Sequence, residues 1–336
     1  MTTPVAAGAP RSEPTPKAGT AGITVTVLVP VYNEMDVLPE CCRRLHDVAE
    51  ARAEDFEFLF VDDGSSDGSA EWLLALRERD PRVAVIELSR NFGKEIAVSA
   101  GLDHASGDAV MLLDADLQDP PELIPDFLAA WQEGYDIVYG QRLSREGETW
   151  LKIRTSHWYY RVINLLSDVP IPADAGDFRL LSRRAVEAVK GLREKHRYMS
   201  GLYAWIGFPQ KALPYHRHPR HAGRTKWNYW RLWSLALEGI TSFSTVPLKL
   251  ATLLGVVTAG AAFLYGVFFL LRTLLFGNPV PGYPSLIVVM LFLGGVQLIC
   301  LGIIGEYLGR TYVESKQRQL YYLRGLHPRR ESEQDG

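Results

Sequence analysis

The sequence has 336 residues, enough for one large or two small domains, and its 47% hydrophobic content is sufficient for a core. The formal net charge of −3 conceals an asymmetry. Residues 1–140 carry 10 Lys and Arg against 26 Asp and Glu, whereas residues 141–336 carry 26 against 13. The acidic half is suited to a metal ion, and the basic half to phosphates or an anionic membrane surface. The three cysteines have neither a disulfide framework nor a zinc-binding spacing, which favours a reducing compartment.

Strand and helix patterns alternate through the first half of the chain. Residues 1–22 are rich in Pro, Ala, Gly and Thr without an apolar run of signal-peptide length, so we interpret them as a disordered tail. The predicted strands that follow are ITVTVLV, FEFLFV, VAVIEL, AVMLL and DIVYG. Helical patterns separate them, namely MDVLPECCRRLHDVAEAR, AEWLLALRERD, NFGKEIAVSAGLDHA with its leading loop, and PELIPDFLAAWQ. This order predicts an α/β domain with a parallel sheet and helices on both faces.

Three polar motifs directly follow predicted strands: PVYNE (30–34), DDGSSD (62–67) and DADLQD (114–119). Ligands of such sheets bind at the carboxyl ends of the strands, so we expect all three motifs on one rim. The pattern GxxxxGK[ST] is absent, and no GxGxxG follows the first strand. The rim therefore does not hold phosphates by a glycine-rich loop and would have to use metal and side chains.

The segment VMLLDADLQDPPEL (110–123) delivers carboxylates to the end of a buried strand. One interpretation is a polar turn in which Asp119 begins the next helix, because the two following prolines suit a first helical turn. It leaves Asp114 and Asp116 unexplained. Two carboxylates one residue apart repel each other unless a cation lies between them, and their oxygens suit Mg²⁺ or Mn²⁺. From this segment alone both interpretations remain open.

After DIVYG the sequence becomes basic and aromatic. ETWLKIRTSHWYYRVINLLSD (148–168) has the pattern of an amphipathic helix, and KWNYWRLWSLALEGITSF (226–243) repeats it. Aromatic side chains combined with Lys and Arg favour a membrane interface, and a helix that faces the protein core is the alternative.

Two long apolar runs follow. Twenty-two uncharged residues separate Lys249 from Arg272, a length that spans about 33 Å as a helix at ~1.5 Å per residue. Residues 286–304 form a second run with one polar side chain. We predict two transmembrane helices joined by the linker GNPVPGYP. Lys and Arg are frequent before the first span and after the second, whereas only Arg272 lies near the linker, which predicts that both termini and the α/β domain are cytoplasmic.

Six motifs together resemble the membrane-anchored family-2 glycosyltransferases that act on polyprenyl phosphates, the group of dolichol-phosphate mannose synthase and bacterial undecaprenyl-phosphate glucosyltransferases. They are VPVYNE (29–34), DDGSSDGS (62–69), NFGKEIAVSAG (91–101), DADLQDPPEL (114–123), DAGDFRLLSRRAV (174–186) and GRTKW (223–227). The resemblance implies a Rossmann-like GT-A catalytic domain with interfacial amphipathic helices and a C-terminal two-helix transmembrane hairpin. We place the GT-A domain at 23–226, a juxtamembrane amphipathic helix at 227–248, the two spans at 249–309 and a cytoplasmic basic tail at 310–336.

The resemblance also assigns roles on the donor side. Asp114, Asp116 and Gln118 match the positions that handle the Mg²⁺ or Mn²⁺ ion and the diphosphate, which accounts for the acidic cluster. Asp116 and Asp177 match the candidate catalytic carboxylates, with Asp174 as the fallback for Asp177. Nucleotide-sugar binding is implied for Pro30, Tyr32, Glu34, Asp62, Asp63, Lys94, Asp114 and Ala115.

The acceptor side follows from charge and resemblance together. A lipid phosphate is already ionised near neutral pH, so it needs cations more than it needs a base. Residues that match the phosphate-handling positions of the family are Arg142, Lys152, Ser156, Arg220 and Lys226. A solvated or lipid-headgroup contact is the alternative for Lys152 and Arg220.

The resemblance implies an inverting transfer of a sugar, by family proximity from UDP-glucose, to undecaprenyl phosphate at the cytoplasmic face of the inner membrane. Alternatives are GDP-mannose or another UDP-sugar as donor. A processive polysaccharide synthase would require more spans and an acceptor motif that this sequence lacks, and a non-catalytic nucleotide-binding scaffold would tend to lose the acidic cluster. A homo-oligomer is expected, and no nucleic-acid partner.

Overall fold

The computed structural model describes residues 22–143, 172, 175–216, 241, 244–277 and 282–330. The first half of the domain alternates strands and helices as the sequence predicts. Its elements are β1 (Thr24–Val31), α1 (Leu38–Glu50), β2 (Asp55–Asp62), α2 (Ser69–Arg77), β3 (Val83–Leu88), α3 (Lys94–His104), β4 (Ala109–Leu112), α4 (Ile124–Gln132) and β5 (Ile137–Arg142). The remaining elements are β6 (Ala175–Ser182), α5 (Arg183–Lys190), α6 (Met199–Trp205), β7 (Gln210–Tyr215), α7 (Val246–Phe276), α8 (Tyr283–Ser315) and β8 (Leu323–His327).

The described strands form one sheet in the order β7-β5-β6-β4-β1-β2-β3-β8. The predicted parallel sheet is right for β1 to β4, whose neighbouring strands are parallel. It is wrong beyond them, because β6 inserts antiparallel between β4 and β5 and β8 adds antiparallel to β3. The sheet is therefore mixed, and the fold is the Rossmann-like α/β fold expected from the sequence.

Helices cover both faces of the sheet and bury one apolar cluster on each. On one face α1 buries Leu38, Cys41 and Leu45 against β1 and β2, in the 3–4 residue spacing of an amphipathic helix. On the other face α3 packs so closely on β1 that a Cβ on Gly101 would lie 2.1 Å from a methyl carbon of Leu28. Truncating a buried leucine of this kind costs roughly 2–5 kcal/mol. This packing fixes the start of α3, and with it Lys94, relative to the strand ends.

Two helices, α7 and α8, form a C-terminal hairpin whose apolar side chains are exposed. Each contains a 31-residue segment long and apolar enough to cross a membrane, Val246–Phe276 and Ser285–Ser315. Both helices extend beyond the predicted spans, because regular helix continues through polar residues outside a hydrocarbon core of about 30 Å. The helices are tied near one end, where the Tyr307 hydroxyl donates to the Ser244 carbonyl oxygen at 2.6 Å.

The chain returns to the α/β domain after the hairpin. Residues 310–336 were assigned to a basic tail, yet α8 runs to Ser315 and β8 then pairs with the edge of β3. The Ser89 amide donates to the Tyr322 carbonyl at 2.9 Å, and the Tyr321 hydroxyl donates to Asp103 at 2.9 Å. The sequence signal for β8 is weak, because an edge strand with one neighbour needs no continuous apolar run.

Several predicted features lie outside the described residues. They include the tail 1–21, the amphipathic helix 148–168, most of the juxtamembrane helix 227–248, and part of the linker between the spans.

Candidate active site

The three polar motifs meet at the carboxyl ends of β1, β2 and β4, as the sequence predicts. The register pairs Val31 at the end of β1 with Asp62 at the end of β2. The Leu113 amide donates to the Leu28 carbonyl at 3.1 Å, which holds the start of the acidic motif beside β1. Asn33 links the first two motifs, because its side-chain oxygen accepts from the Ser66 amide at 2.8 Å.

Asp62 and Asp63 are buried and shape the loops around them. Asp62 accepts from the amides of Gly64 and Ser65 at 3.2 and 3.1 Å. Asp63 accepts from the amides of Phe92 and Gly93 at 2.7 and 2.9 Å. Burial raises the pKa of both carboxyls, and these backbone donors oppose that rise. Their predicted contact with the nucleotide remains a prediction, and it would use lone pairs that the backbone leaves available.

Gly64 lets the loops after β2 and β3 touch. Its φ is +72°, and a Cβ there would lie 2.7 Å from the Arg90 carbonyl carbon. Only glycine satisfies both conditions without a shift of backbone. The sequence analysis did not identify this residue or Asn33, although DGS after a strand is a turn signal.

The remaining nucleotide-site candidates surround this loop pair. Tyr32 is exposed directly after β1. The Glu34 amide donates to the Ser69 hydroxyl oxygen at 3.2 Å, which ties Glu34 to the DDGSSDGS motif. Pro30 is half-buried in β1 and Ala115 is buried in the acidic motif.

Lys94 joins two of the predicted site carboxylates. Its Nζ lies 2.6 Å from Asp114 Oδ1 and 2.6 Å from Asp177 Oδ2. The side chains of Lys94, Asp114 and Asp177 keep exposed fractions of 41%, 23% and 27%, so the bridge faces the open rim. Asp63 positions it, because the amides that Asp63 binds immediately precede Lys94. β4, β6 and α3 thus deliver one cation between two anions.

The three groups set one another's charge. Burial disfavours the Lys94 ammonium, but Asp114 and Asp177 outweigh it and hold the pKa of Lys94 well above its ordinary value. Burial acts against ionisation of Asp177 too, and Lys94 reverses it, so the pKa of Asp177 is lowered. The pKa of Asp114 is raised, first by burial and then by Asp177, with Lys94 opposing both. Of these two carboxylates, Asp177 is the one better stabilised in its charged form.

Asp116 and Gln118 follow in a tight turn. Asp116 is buried and accepts from the Gln118 amide at 3.1 Å. Leu117 between them has a φ of +57°, which costs an L-residue roughly 1–2 kcal/mol and persists because its side chain is buried.

The donor set fits a hard divalent cation. Carboxylate and amide oxygens suit Mg²⁺ or Mn²⁺, which bind through one or two carboxylates and substrate phosphates. Within the described residues, no three His, Cys, Asp or Glu side chains are placed to hold a metal by themselves. A metal at Asp114, Asp116 and Gln118 would therefore be completed by the oxygens of a bound diphosphate.

Asp119 does not begin a helix. The following helical turn starts after Pro120, without a side-chain cap, and Asp119 is buried instead. Its Oδ1 accepts a hydrogen bond from the Tyr215 hydroxyl. Arg142 lies on the other side of that hydroxyl, with its Nε donating to it over a long 3.4 Å. The sequence analysis missed Tyr215, which no motif marks.

Two further ionisable residues, Arg179 and Glu95, interact electrostatically with Asp177. Arg179 is buried, its Nη2 donates to the Gly176 carbonyl at 2.6 Å, and its Cζ lies 4.1 Å from the centre of the Tyr203 ring. Burial and the Asp177 charge raise the pKa of the nearby Glu95 carboxyl to about 8. The sequence analysis assigned no role to Glu95 or Arg179, although they lie within the motifs NFGKEIAVSAG and DAGDFRLLSRRAV.

The other acceptor-side candidates lie outside the described residues. These are Lys152, Ser156, Arg220 and Lys226, together with the fallback carboxylate Asp174. Their roles remain predictions, and Arg142 is the acceptor candidate that the structure places beside Asp177.

Comparison with known proteins agrees with this architecture. Residues 26–190 match the family model "Glycosyl transferase family 2", and residues 246–311 match "GtrB C-terminal hairpin". An uncharacterized glycosyltransferase of Synechocystis sp. is 49% identical over 304 residues, which cover 90% of this chain and 96% of that protein. The bactoprenol glucosyl transferase of Shigella phage SfV is 47% identical over 300 residues, covering 89% and 98%.

Among solved structures, the glucosyl-3-phosphoglycerate synthase of Mycobacterium tuberculosis, in complex with Mn²⁺, UDP-glucose and phosphoglyceric acid, aligns with a TM-score of 0.47 and 19% identity. The alignment covers 66% of this chain and 78% of that one. The family is identified by the two sequence relatives, which are 47–49% identical to this chain and are covered over nearly their whole length. The solved structure is not needed for that conclusion. The chain belongs to the family-2 glycosyltransferases and carries a C-terminal membrane hairpin of the GtrB type.

Proposed function

We propose that this protein transfers glucose from UDP-glucose to undecaprenyl phosphate, with inversion at the anomeric carbon. The observation that carries the proposal is the Lys94 bridge between Asp114 and Asp177 at the strand-end rim of a chain with a membrane hairpin. The name of the phage SfV relative supports glucose as the sugar and bactoprenol as the carrier. The product would be a polyprenyl-phosphate sugar.

The donor occupies the rim from the β1 end to the acidic motif. The exposed Tyr32 ring is available to the base, and the loops held by Asp62 and Asp63 line the nucleoside. Asp114, Asp116 and Gln118 would hold Mg²⁺ or Mn²⁺ against the diphosphate. When bound, that ion supplies Lewis-acid neutralisation of the charge on the leaving group. Lys94 adds a second positive charge at the same place.

The chemistry is a single displacement. An oxygen of the lipid phosphate forms a bond to the anomeric carbon while the bond from that carbon to the UDP oxygen breaks. The lipid phosphate is already anionic, so no proton has to be removed from it. Asp177 orients the reacting groups through Lys94, and Arg142 offsets the repulsion between the two phosphate-bearing substrates. At ~4 Å each unit charge pair costs about 4 kcal/mol at an effective dielectric of ~20, so these cations matter to the approach.

We also propose that the catalytic domain lies on the cytoplasmic side of the inner membrane. The return of β8 to the same sheet supports a hairpin that enters and leaves the membrane on one side, because β3 and β8 are hydrogen-bonded neighbours. The excess of Lys and Arg on both flanks of the hairpin supports the cytoplasmic side. A homo-oligomer, which the resemblance implied, stays a prediction.

The test is a donor and acceptor screen with the full chain in lipid nanodiscs that contain undecaprenyl phosphate. Radiolabelled UDP-glucose, other UDP-sugars and GDP-mannose are compared with Mn²⁺, with Mg²⁺ and with a chelator. We expect label in the lipid fraction from UDP-glucose, dependent on metal and on undecaprenyl phosphate. Lipid label from GDP-mannose alone would refute the donor assignment, and release of free sugar without lipid label would refute the acceptor. Polymeric product would indicate a processive synthase.

A further inference from the structure

A chain of hydrogen bonds links the acidic motif to the arginine on the opposite side of the site. The buried Asp119 accepts from the Tyr215 hydroxyl, and Arg142 Nε donates to the same hydroxyl at 3.4 Å. Arg142 and Tyr215 are also register partners in the parallel pair of β5 and β7. The last carboxylate of DADLQD is thus connected to Arg142 through one tyrosine.

Two glycines make room for this arrangement. A Cβ on Gly140 would lie 2.8 Å from Tyr215 Cε1 and 2.9 Å from Phe178 Cδ1, so glycine there admits the tyrosine ring against β5 and Phe178. A Cβ on Gly176 would lie 2.6 Å from Arg142 Nη2. The guanidinium therefore packs closely against Gly176, the residue that precedes Asp177. A side chain at either glycine would displace the ring or the guanidinium.

The electrostatics agree with a fixed guanidinium. Burial, the Asp119 charge and the hydrogen bond to Asp119 raise the pKa of the Tyr215 hydroxyl, so it stays a donor to Asp119 and an acceptor for Arg142. Arginine stays charged even where burial opposes it, and Tyr215 and Asp119 both favour that charge. Two successive hydrogen bonds through the Tyr215 hydroxyl connect Arg142 to the buried Asp119 carboxylate. They hold the guanidinium in one position, which a flexible surface arginine would not keep.

We propose that Tyr215 and Asp119 are positioning residues that hold the Arg142 guanidinium beside Asp177, where it receives the phosphate of the lipid acceptor. This inference rests on the proposed acceptor and goes beyond it, because it gives the third carboxylate of the acidic motif a task on the acceptor side. Asp114 and Asp116 serve the donor diphosphate, and Asp119 serves the incoming phosphate. One motif would thereby set the spacing between the two anionic substrates.

The test measures each substrate separately in the full chain with Tyr215→Phe. Donor affinity is measured by calorimetry with UDP-glucose and Mn²⁺, and the KM for undecaprenyl phosphate is measured in nanodiscs. We expect the KM for the lipid phosphate to rise about tenfold, which corresponds to about 1.4 kcal/mol, while donor affinity stays within about twofold. An unchanged lipid KM in a folded Tyr215→Phe protein overturns the inference.

Tyr321→Phe is the matched control. Its hydroxyl also donates to a partly buried aspartate, Asp103 Oδ2 at 2.9 Å, but at the β8 side of the domain. Both variants lose a tyrosine–aspartate hydrogen bond, but only Tyr215→Phe should raise the KM for undecaprenyl phosphate. An equal change in both would mean that loss of stability, not positioning, is responsible.

Dependence on Arg142 is tested with a double-mutant cycle. In an Arg142→Gln background, Tyr215→Phe should change the lipid KM little, because the group it positions is gone. Additive effects would overturn the inference.

If Tyr215→Phe does not fold, Asp119→Asn is the substitute variant. It keeps an acceptor for the Tyr215 hydroxyl and removes the charge, so it should raise the lipid KM by a smaller factor. No change in that variant would count against the proposal equally.

Direct binding of undecaprenyl phosphate separates this inference from the donor assignment. If the wild-type protein transfers no glucose but binds undecaprenyl phosphate, and Tyr215→Phe weakens that binding, the UDP-glucose proposal fails and the positioning role holds. If wild type and variant bind the lipid phosphate equally or not at all, the positioning role fails.

Discussion

Lys94→Met tests whether the bridging ammonium holds the rim together. The substitution keeps most of the length of the side chain, removes its charge and leaves Asp114 and Asp177 facing each other. Both carboxylate oxygens lie 2.6 Å from Nζ, so they are at most about 5 Å apart. Two unit charges at ~5 Å repel by about 3 kcal/mol at an effective dielectric of ~20, and by about half that where solvent screens the exposed rim. We therefore expect a loss of about 1–3 kcal/mol at pH 7.5.

The loss should depend on pH in a defined direction. Lys94 lowers the folded-state pKa of Asp177 below its unfolded value, so this contribution is present above the unfolded pKa and disappears as pH falls through the folded one. In wild type this contribution is still present at pH 4.5. In Lys94→Met, burial and mutual repulsion are no longer opposed by Lys94 and raise the pKa of the Asp114 and Asp177 carboxyls, so the folded variant takes up a proton as pH falls and its difference from wild type should shrink between pH 7.5 and pH 4.5. The assay is the melting temperature of the detergent-solubilised full chain, with an expected deficit of about 3–10 °C at pH 7.5.

Lys211→Met is the control for this measurement. It removes one partner of an exposed ion pair, with Nζ at 2.5 Å from Glu133, on the edge strand β7. Isolated pairs of this kind contribute roughly 0–1 kcal/mol, so a small deficit is expected. A Lys94→Met protein as stable as wild type at pH 7.5, or a deficit that is the same at both pH values, would refute the role of the bridge.

Three further outcomes are expected. Asp116→Ala should abolish transfer while the protein stays folded and membrane-bound, and more than a few per cent of activity in saturating Mn²⁺ would contradict the metal role. Gly64→Ala should lower the free energy of unfolding by about 1–3 kcal/mol and weaken donor binding, because its Cβ would meet the backbone of Arg90. Gly68→Ala is the control, since Gly68 has a φ of +92° but open space around its Cβ position. It should show a smaller loss of stability and unchanged donor affinity. A cysteine introduced at Asn278 should react with an impermeant reagent from outside the cell, and reaction at Glu333 instead would invert the topology.

The strand–helix alternation and the apolar spans were predictable because each leaves a local pattern. The rim was predictable for the same reason, since parallel strands bring their carboxyl ends together whatever their order. The antiparallel insertion of β6 was not, because strand order is decided by packing between segments far apart in sequence. The sequence analysis marked DAGDFRLLSRRAV only as a family motif, and nothing in these residues indicates an antiparallel neighbour.

Individual site residues also fall into two groups, those that a sequence motif marks and those that only a tertiary contact reveals. Asp114 and Asp177 were selected by motif, and the cation between them, Lys94, was expected on the donor side without its bridge. Asp119 was read as a helix start because Asp-Pro is a strong local signal, and a tertiary contact with Tyr215 replaced that role. Tyr215 ends an edge strand with no motif around it, so its place became visible only when β5 and β7 were paired.

The position of β8 has a consequence for biogenesis. A chain emerges from the ribosome N-terminal part first, so β1 to β7 can pack before α7 and α8 are made. Until β8 arrives, the edge of β3 exposes unpaired amides and carbonyls, a template for aggregation. That edge closes only after the hairpin has been synthesised, because β8 follows α8 in the chain. Completion of the sheet is thereby left to the last strand that the structure describes, so a chain that ends before β8 keeps an open β3 edge and carries the aggregation hazard of an unpaired strand.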